Sequence, residues 1–291
     1  MATKFSPITG RYVHLNVQGV EYRVYFEEAG EGTPVIMQHT AGSDGRQWRH
    51  ILEDEKLASQ FRFIAHDLPY HGKSLPPLGK AWWRERYSLS QSFAIDFIEA
   101  MTKALGIEKG IYVGCSMGGH LAPDLALARP GLFRAVIAVE GGLATHDPEP
   151  FLEYLSHPRA SNEAKAGLML GQMSPHSPEH FRRETAWVYS QGGPQVFRGD
   201  LDYYLGEHDL TRTASKIDTS KTQVHVISGD YDWSATPERS RALADAIKGA
   251  TYTRMDGMGH FPMSEHPEAF KKYLSQLLAT IMAKERSDFR S

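Results

Sequence analysis

Apolar and polar residues alternate from Tyr12 to Val17 and again from Tyr22 to Glu27, with Gln18-Gly19 between them. A period of two belongs to a strand with one covered face, so the pair reads as an N-terminal hairpin. The later apolar runs are mostly continuous rather than alternating: Pro34 to Gln38, Phe61 to Ala65, Ile111 to Gly114, Phe133 to Val139, Gln223 to Ser228 and Thr251 to Met255. Strands covered on both faces look like this. Between them apolar positions return every three or four residues. Trp48, Ile51 and Leu52 predict a helix from about Arg46 to Ala58; Phe93, Phe97, Ile98, Met101 and Leu105 predict one from Ser88 to Leu105, ended by Gly106. Further helices are expected over Met117 to Arg129, Pro237 to Lys248 and Pro267 to Met282. Strand and helix in alternation predict an α/β fold built on a mostly parallel, doubly wound sheet.

From Leu143 to about Ser215 this rhythm lapses. No convincing strand appears, and Pro148, Pro150, Pro158, Pro175, Pro178 and Pro194 punctuate short helical pieces such as Phe181 to Ser190 and Phe197 to Leu205. The expectation is an inserted helical cap over 143–215, with 1–142 and 216–291 forming one core domain.

Composition narrows the classes. The 291 residues are 41% hydrophobic and 23% charged, which is ordinary for a globular chain with a sizeable core. A net charge of −3, with the basic residues dispersed, gives no support for a nucleic-acid partner. No apolar window is long enough to span a bilayer, and Met1 to Pro7 lacks the apolar region of a secretory leader, so the expected location is the cytoplasm, with no membrane partner. The one cysteine, Cys115, leaves no intrachain disulfide and no cysteine-based metal site within this sequence. Packing as a small buried apolar residue is expected of it rather than a redox role.

The candidate chemistry starts at Gly114-Cys115-Ser116-Met117-Gly118, a G-x-S-x-G pattern between a strand and a helix. The flanking glycines relieve crowding, and the turn lifts the Ser116 hydroxyl off the carboxyl edge of the sheet, beside the first N–H groups of the next helix. Such a serine suits a nucleophile, which needs a base, which in turn needs an acid. His260 lies in the glycine-rich loop Asp256 to Pro262, between the last strand and the last helix, and is the expected base. For the acid, Gly229-Asp230-Tyr231-Asp232 offers two carboxylates. Asp232 sits two residues deeper in the turn and is better aimed at His260 than Asp230, which caps or solvates the strand end. Glu140, at the end of an earlier strand, is the alternative acid.

The order Ser116, Asp232, His260 on a parallel sheet resembles the α/β-hydrolase family, and the likeness runs from His39 to the last helix. It is carried by His39, by Asp67-Leu68-Pro69-Tyr70-His71-Gly72-Lys73-Ser74, by the serine turn, by Gly229 to Asp232 and by Gly259-His260. The resemblance implies a serine esterase working through an acyl-enzyme, without metal or organic cofactor, its oxyanion held by the N–H groups of Met117 and Ala41. Glycine is common directly after that histidine, where Thr40 stands here, and frequent where Tyr70 stands. The loop Gly229 to Glu238 looks similar to those of small bacterial carboxylesterases, monoalkyl phthalate hydrolases among them. The same scaffold serves lactonases, carbon–carbon bond hydrolases and non-catalytic ligand receptors, which stand as alternatives.

The expected partner is a small-molecule ester with an aromatic or medium-chain group. The cap aromatics Phe151, Tyr154, Phe181, Trp187, Tyr189, Phe197, Tyr203 and Tyr204 either line its pocket or form the core of the cap, and Trp82-Trp83 is placed near the entrance. The substrate-binding set is therefore Thr40, Trp82, Trp187, Tyr203, Tyr204 and Phe261. Arg46, Arg182 and Arg183 are either solvated surface charges or contacts for an anionic substrate such as a monoester of a dicarboxylic acid. Sequence leaves both a monomer and a homodimer open.

Overall fold

The computed structural model describes residues 5–145, 157, 160–193 and 195–288. Its frame is an eight-stranded sheet of β1 (Thr9–Val17), β2 (Val20–Ala29), β3 (Thr33–Gln38), β4 (Phe61–His66), β5 (Gly110–Cys115), β6 (Phe133–Val139), β7 (Gln223–Gly229) and β8 (Thr251–Met255). The spatial order is β1-β2-β4-β3-β5-β6-β7-β8. β1 and β2 form the antiparallel hairpin, turning at Gln18 and Gly19, both at positive φ as a two-residue hairpin loop of matching twist requires. β2 also runs antiparallel to β4, and every pairing from there to β8 is parallel.

The continuous apolar runs are explained by two separate cores. Ile36, Ile64, Tyr112, Val136 and Val224 face α3 (Gln91–Ala104) and α4 (Met117–Ala128) on one side of the sheet. Val35, Met37, Phe63, Val113 and Ile137 face the other side, which Trp48, Ile51, Phe270, Leu274 and Leu278 cover. The expected helix from Arg46 to Ala58 is broken. A 3-10 turn over Gly45–Trp48 leads into α1 (Arg49–Leu52), and α2 (Glu55–Ala58) starts afresh because the Asp54 carboxylate caps the Leu57 N–H at 2.9 Å.

Between β6 and β7 the described residues hold no strand, only an isolated antiparallel bridge from Ala144 to Asp209. They form α5 (Asn162–Gln172), α6 (Glu179–Tyr189), α7 (Val196–Leu201) and a π-helical turn over Asp202–Glu207. α5 was not expected; two glycines within it blur its period. Pro148, Pro150, Phe151, Tyr154, Pro158 and Pro194 lie outside the described residues. After β7 come α8 (Pro237–Ala246), α9 (Pro262–Glu265) and α10 (Pro267–Asp288), the last six residues longer at its C-terminal end than its apolar period implied. No helix among the described residues is long and apolar enough to cross a membrane.

Two buried ion pairs fasten this helical segment to the sheet domain. His71 Nε2 meets Asp200 Oδ2 at 2.8 Å while its Nδ1 faces the Pro69 carbonyl at 2.9 Å. His208 Nδ1 meets Asp124 Oδ2 at 2.9 Å while its Nε2 faces the Gly142 carbonyl at 2.9 Å. Each imidazole therefore faces acceptors on both nitrogens and must be doubly protonated to donate to both. Burial works against that charge, but the partner carboxylate outweighs it, and both histidines titrate above the ordinary value. Asp200→Ala would strand a buried imidazolium, so a loss of about 3–5 kcal/mol is expected in chemical denaturation. Because both histidine pKa values are raised on folding, this contribution is complete below about pH 6.5 and is lost as pH rises through the folded values. Wild-type stability should fall across that alkaline window, and less so in His71→Gln.

Candidate active site

The serine turn is set by crowding. A Cβ on Gly114 would overlap the Gly118 carbonyl, one on Gly118 the Gln38 side chain, and one on Gly119 the Val139 carbonyl, so only glycine lets α4 lie this close to β5 and β6. Ser116, between strand and helix, is driven to φ 54° and ψ −113°, a conformation that costs a non-glycine residue on the order of 1–3 kcal/mol. Its N–H is tied to the Val139 carbonyl at 2.9 Å and its carbonyl accepts the His120 N–H at 2.8 Å. The backbone is thereby fixed at both ends of the residue.

His260 is brought to this turn by its own main chain. Its carbonyl accepts the Cys115 thiol at 3.3 Å and its N–H donates to Gln172 O, at the end of α5, at 3.1 Å. Asp232 Oδ2 lies 2.6 Å from His260 Nδ1, and Asp232 Oδ1 accepts the N–H groups of Ser234 at 2.7 Å and Ala235 at 3.1 Å. Burial would push this carboxyl up, but the His260 charge and the hydrogen bonds outweigh it, and it titrates below the ordinary carboxylate value. Nδ1 is then the protonated nitrogen, which leaves Nε2 as the one that can accept a proton. Asp230 is turned away, bound to Arg254 at 3.1 Å and the Gly257 N–H at 2.7 Å.

Glu140 stands behind this pair, fully buried, at φ 52°. Its Oε1 accepts the Gly229 N–H at 2.7 Å, and no donor faces Oε2. Burial first, and then the neighbouring Asp232 charge, push its carboxyl well above the usual range. Its carboxyl is thereby biased towards the neutral form, while the negative charge is favoured on Asp232. Sequence did not single out Glu265, another buried carboxyl, although it braces the histidine loop by accepting from Gly259 N–H at 2.5 Å and Ser177 Oγ at 3.1 Å.

The loop after β3 is held by side chains. His39 Nδ1 donates to the Thr40 carbonyl at 2.8 Å and Nε2 accepts the Leu68 N–H at 3.1 Å, which requires a neutral ring; burial and the nearby His71 charge lower its pKa to about 4. Thr40 does not leave the loop slack in the absence of glycine: its N–H and hydroxyl both donate to Gln47 Oε1 at 3.0 Å, and the hydroxyl also meets Tyr189 Oη. Gly42 N–H is taken by Asp200 at 2.7 Å. The N–H groups of Ala41, between them, and of Met117, first residue of α4, have no partner among the described residues. Tyr70 adopts φ 73°, the conformation for which glycine is frequent there, and rests its ring on Tyr87 at 4.6 Å.

The expected pocket residues divide. Phe261 is buried edge-on against the His260 ring at 4.8 Å, and Thr40 is buried in the loop just described. Tyr204 stacks on His120 at 5.4 Å. Tyr203 instead donates its hydroxyl to Asp124 at 2.6 Å and belongs to the anchor of the helical segment. Trp82 and Trp187 face outward, 39% and 52% exposed, because Trp82 packs on Trp83 and Tyr70, and Trp187 lies under the Arg46 guanidinium. Arg46 itself is clasped by Asp44 at 2.6 Å, and Arg182 and Arg183 pair with Glu179 at 3.2 and 2.6 Å. Each of these arginines thus pairs with an acid close to it in sequence.

Residues 35–272 match the model of the alpha/beta hydrolase family. A 2-hydroxy-6-oxononadienedioate/2-hydroxy-6-oxononatrienedioate hydrolase of Paraburkholderia phymatum is 29% identical over 291 residues, 93% of this chain and 96% of that protein. Among solved structures, a thermophilic esterase from Thermogutta terrifontis superposes with a TM-score of 0.77 at 20% identity, covering 93% of this chain and 99% of its own. An enol-lactonase from Burkholderia xenovorans does so with a TM-score of 0.77 at 21% identity, over 92% and 100%.

The neutral state of Glu140 can be tested through stability. Glu140→Gln should stay within about 1 kcal/mol of wild type at pH 5, whereas Glu140→Ala, which unpairs the Gly229 N–H, should lose about 1–3 kcal/mol. The folded protein holds one more proton than the unfolded chain between about pH 4.3 and the raised Glu140 value, so wild-type stability falls with pH across that window. Relative to wild type, Glu140→Gln should therefore gain stability from pH 5 to pH 9 in denaturant titrations.

Proposed function

The chain belongs to the alpha/beta hydrolase family, and on that premise we propose that it is a serine hydrolase cleaving a carboxylic ester through an acyl-enzyme. The observation that carries this reading is the His260–Asp232 pair, drawn through the Cys115 contact to the strained turn that presents Ser116. His260 Nε2 takes the Ser116 proton as Oγ attacks the ester carbonyl, and Asp232 stabilises the imidazolium. In this reading the open N–H groups of Ala41 and Met117 hold the oxyanion; each such donor is typically worth about a hundredfold or more in rate. His260 then gives its proton to the leaving alcohol, the C–O bond breaks, and the ester of Ser116 remains. Water, deprotonated by His260, attacks that ester; the acid leaves and Ser116 regains its proton.

Asp232 rather than Glu140 is the acid of this reading, because it is the Asp232 carboxylate that meets His260 Nδ1, at 2.6 Å. In the same reading 143–215 acts as a cap that covers the reacting groups, with α5 seated on His260. A second reading is favoured by the relative from Paraburkholderia phymatum, named as a hydrolase of an oxo-dienedioate: the same three residues would cleave a carbon–carbon bond next to a ketone.

A fluorophosphonate should add its mass to Ser116 in intact-protein mass spectrometry, and Ser116→Ala should remove both the adduct and all but about a thousandth of nitrophenyl ester turnover. Asp232→Ala should cost a comparable factor in kcat, and Glu140→Gln under about tenfold. No adduct on the wild type would overturn the serine hydrolase reading. Faster turnover of a vinylogous diketone than of every ester in an acyl-length series would instead favour the carbon–carbon reading.

A further inference from the structure

Lys165 is 2% exposed, on the inward face of α5 with Met169 and Gln172. A lysine is almost never buried this deeply unless its charge is paired. Among the described residues its ammonium makes one hydrogen bond, a long one of 3.4 Å to the Gly193 carbonyl, and burial pushes its pKa down. Asp200 is the acid whose charge reaches it, yet no ion pair forms. The oxygens of Asp200 are committed to the Gly42 N–H, the Tyr87 hydroxyl and the His71 imidazolium, and that imidazolium already balances the charge. Among the described residues Lys165 thus keeps two donors without an acceptor and forms no ion pair.

Its position ties this charge to the reacting groups. The C-terminal end of α5 is fixed to the His260 N–H through Gln172 O. Lys165 lies seven residues earlier, roughly 10 Å along the helix axis. There it stands beside the turn that carries the open Ala41 N–H: a Cβ placed on Gly192 would be 2.7 Å from the Gly42 carbonyl oxygen and 3.8 Å from Lys165 Nζ. The inward face of α5 therefore reaches from the base to the oxyanion turn, with Lys165 at the far end. A single buried ammonium matches a singly charged carboxylate; a phosphate dianion would leave excess negative charge there.

We propose that Lys165 anchors a carboxylate on the substrate, so that the substrate class is an acid carrying its scissile bond several atoms from a free carboxylate. The inference rests on the serine hydrolase reading for its chemistry but not for its binding. In the sequence Arg46, Arg182 and Arg183 stood either as solvated surface charges or as contacts for such an anion; each pairs with a nearby acid, whereas Lys165 forms no ion pair among the described residues.

The test uses matched nitrophenyl esters of equal chain length, one ending in a free carboxylate and one in its methyl ester. Wild type should favour the anionic ester by at least about tenfold in kcat/KM, and Lys165→Met should abolish the preference through KM while leaving the neutral ester within about threefold. Lys165→Arg, which keeps the charge, should retain part of the preference. In parallel, calorimetry should show the corresponding dicarboxylate binding Ser116→Ala and at least about tenfold more weakly to Ser116→Ala/Lys165→Met. Ester turnover with the same anionic-to-neutral ratio in wild type and Lys165→Met would overturn the anchor alone. Lysine-dependent dicarboxylate binding without turnover of any ester would uphold the anchor and sink the ester-hydrolase reading.

Discussion

The close approach of α4 to β5 and β6 is the constraint on which the rest of the structure depends. Three glycines permit it, and with the helix so near the sheet the chain has no relaxed path from Cys115 to Met117. Ser116 takes the strain. Its N–H is spent on Val139, and the next N–H, that of Met117, has no partner among the described residues at the start of the helix. α4 is buried through most of its length, which explains its lack of a polar face and the apolar run that follows the serine motif. A helix set one side chain further from the sheet would lower the strain and would also withdraw both the hydroxyl and the open N–H from the carboxyl edge.

Much of this was legible in the sequence because it is written in short-range patterns. Period two marked the hairpin, continuous apolar runs marked strands covered on both faces, and the serine, aspartate and histidine loops fell at strand ends in the expected order. What escaped depends on distant partners. Asp54 cuts the first helix through a local cap that competes with its apolar period. Thr40 became intelligible only with Gln47 in place, seven residues on and folded back over it. Glu265, Asp200 and Lys165 carry no motif, since each gains its meaning from groups far along the chain. The aromatics of the helical segment divide by face: on α6 Tyr189 points inward, with Thr185 and Val188, and Trp187 outward, so aromatic character by itself does not assign a residue to a pocket.

The interior charges are arranged by alternation of state. His71 and His208 are held charged by carboxylates, while His39, 4.8 Å from His71 ring to ring, is held neutral. The neutrality of His39 has a structural purpose: protonation would turn its Nε2 from acceptor to donor and expel the Leu68 N–H. Glu140 and Asp232 repeat the theme with acids: burial and the Asp232 charge raise the one, while His260 and hydrogen bonds outweigh burial and lower the other. In each case burial raises the cost of a wrong assignment, so few protonation patterns are compatible with the folded chain.

Cys115 ends up sealed between the sheet and the backbone of His260, its thiol donating to that carbonyl and its pKa raised well above the ordinary value by burial. As the one sulfhydryl in the sequence, it works as a latch indicator. A thiol reagent reaches it only after the histidine loop has lifted from the strand beneath, so the pace of labelling counts how often the centre of the molecule comes apart.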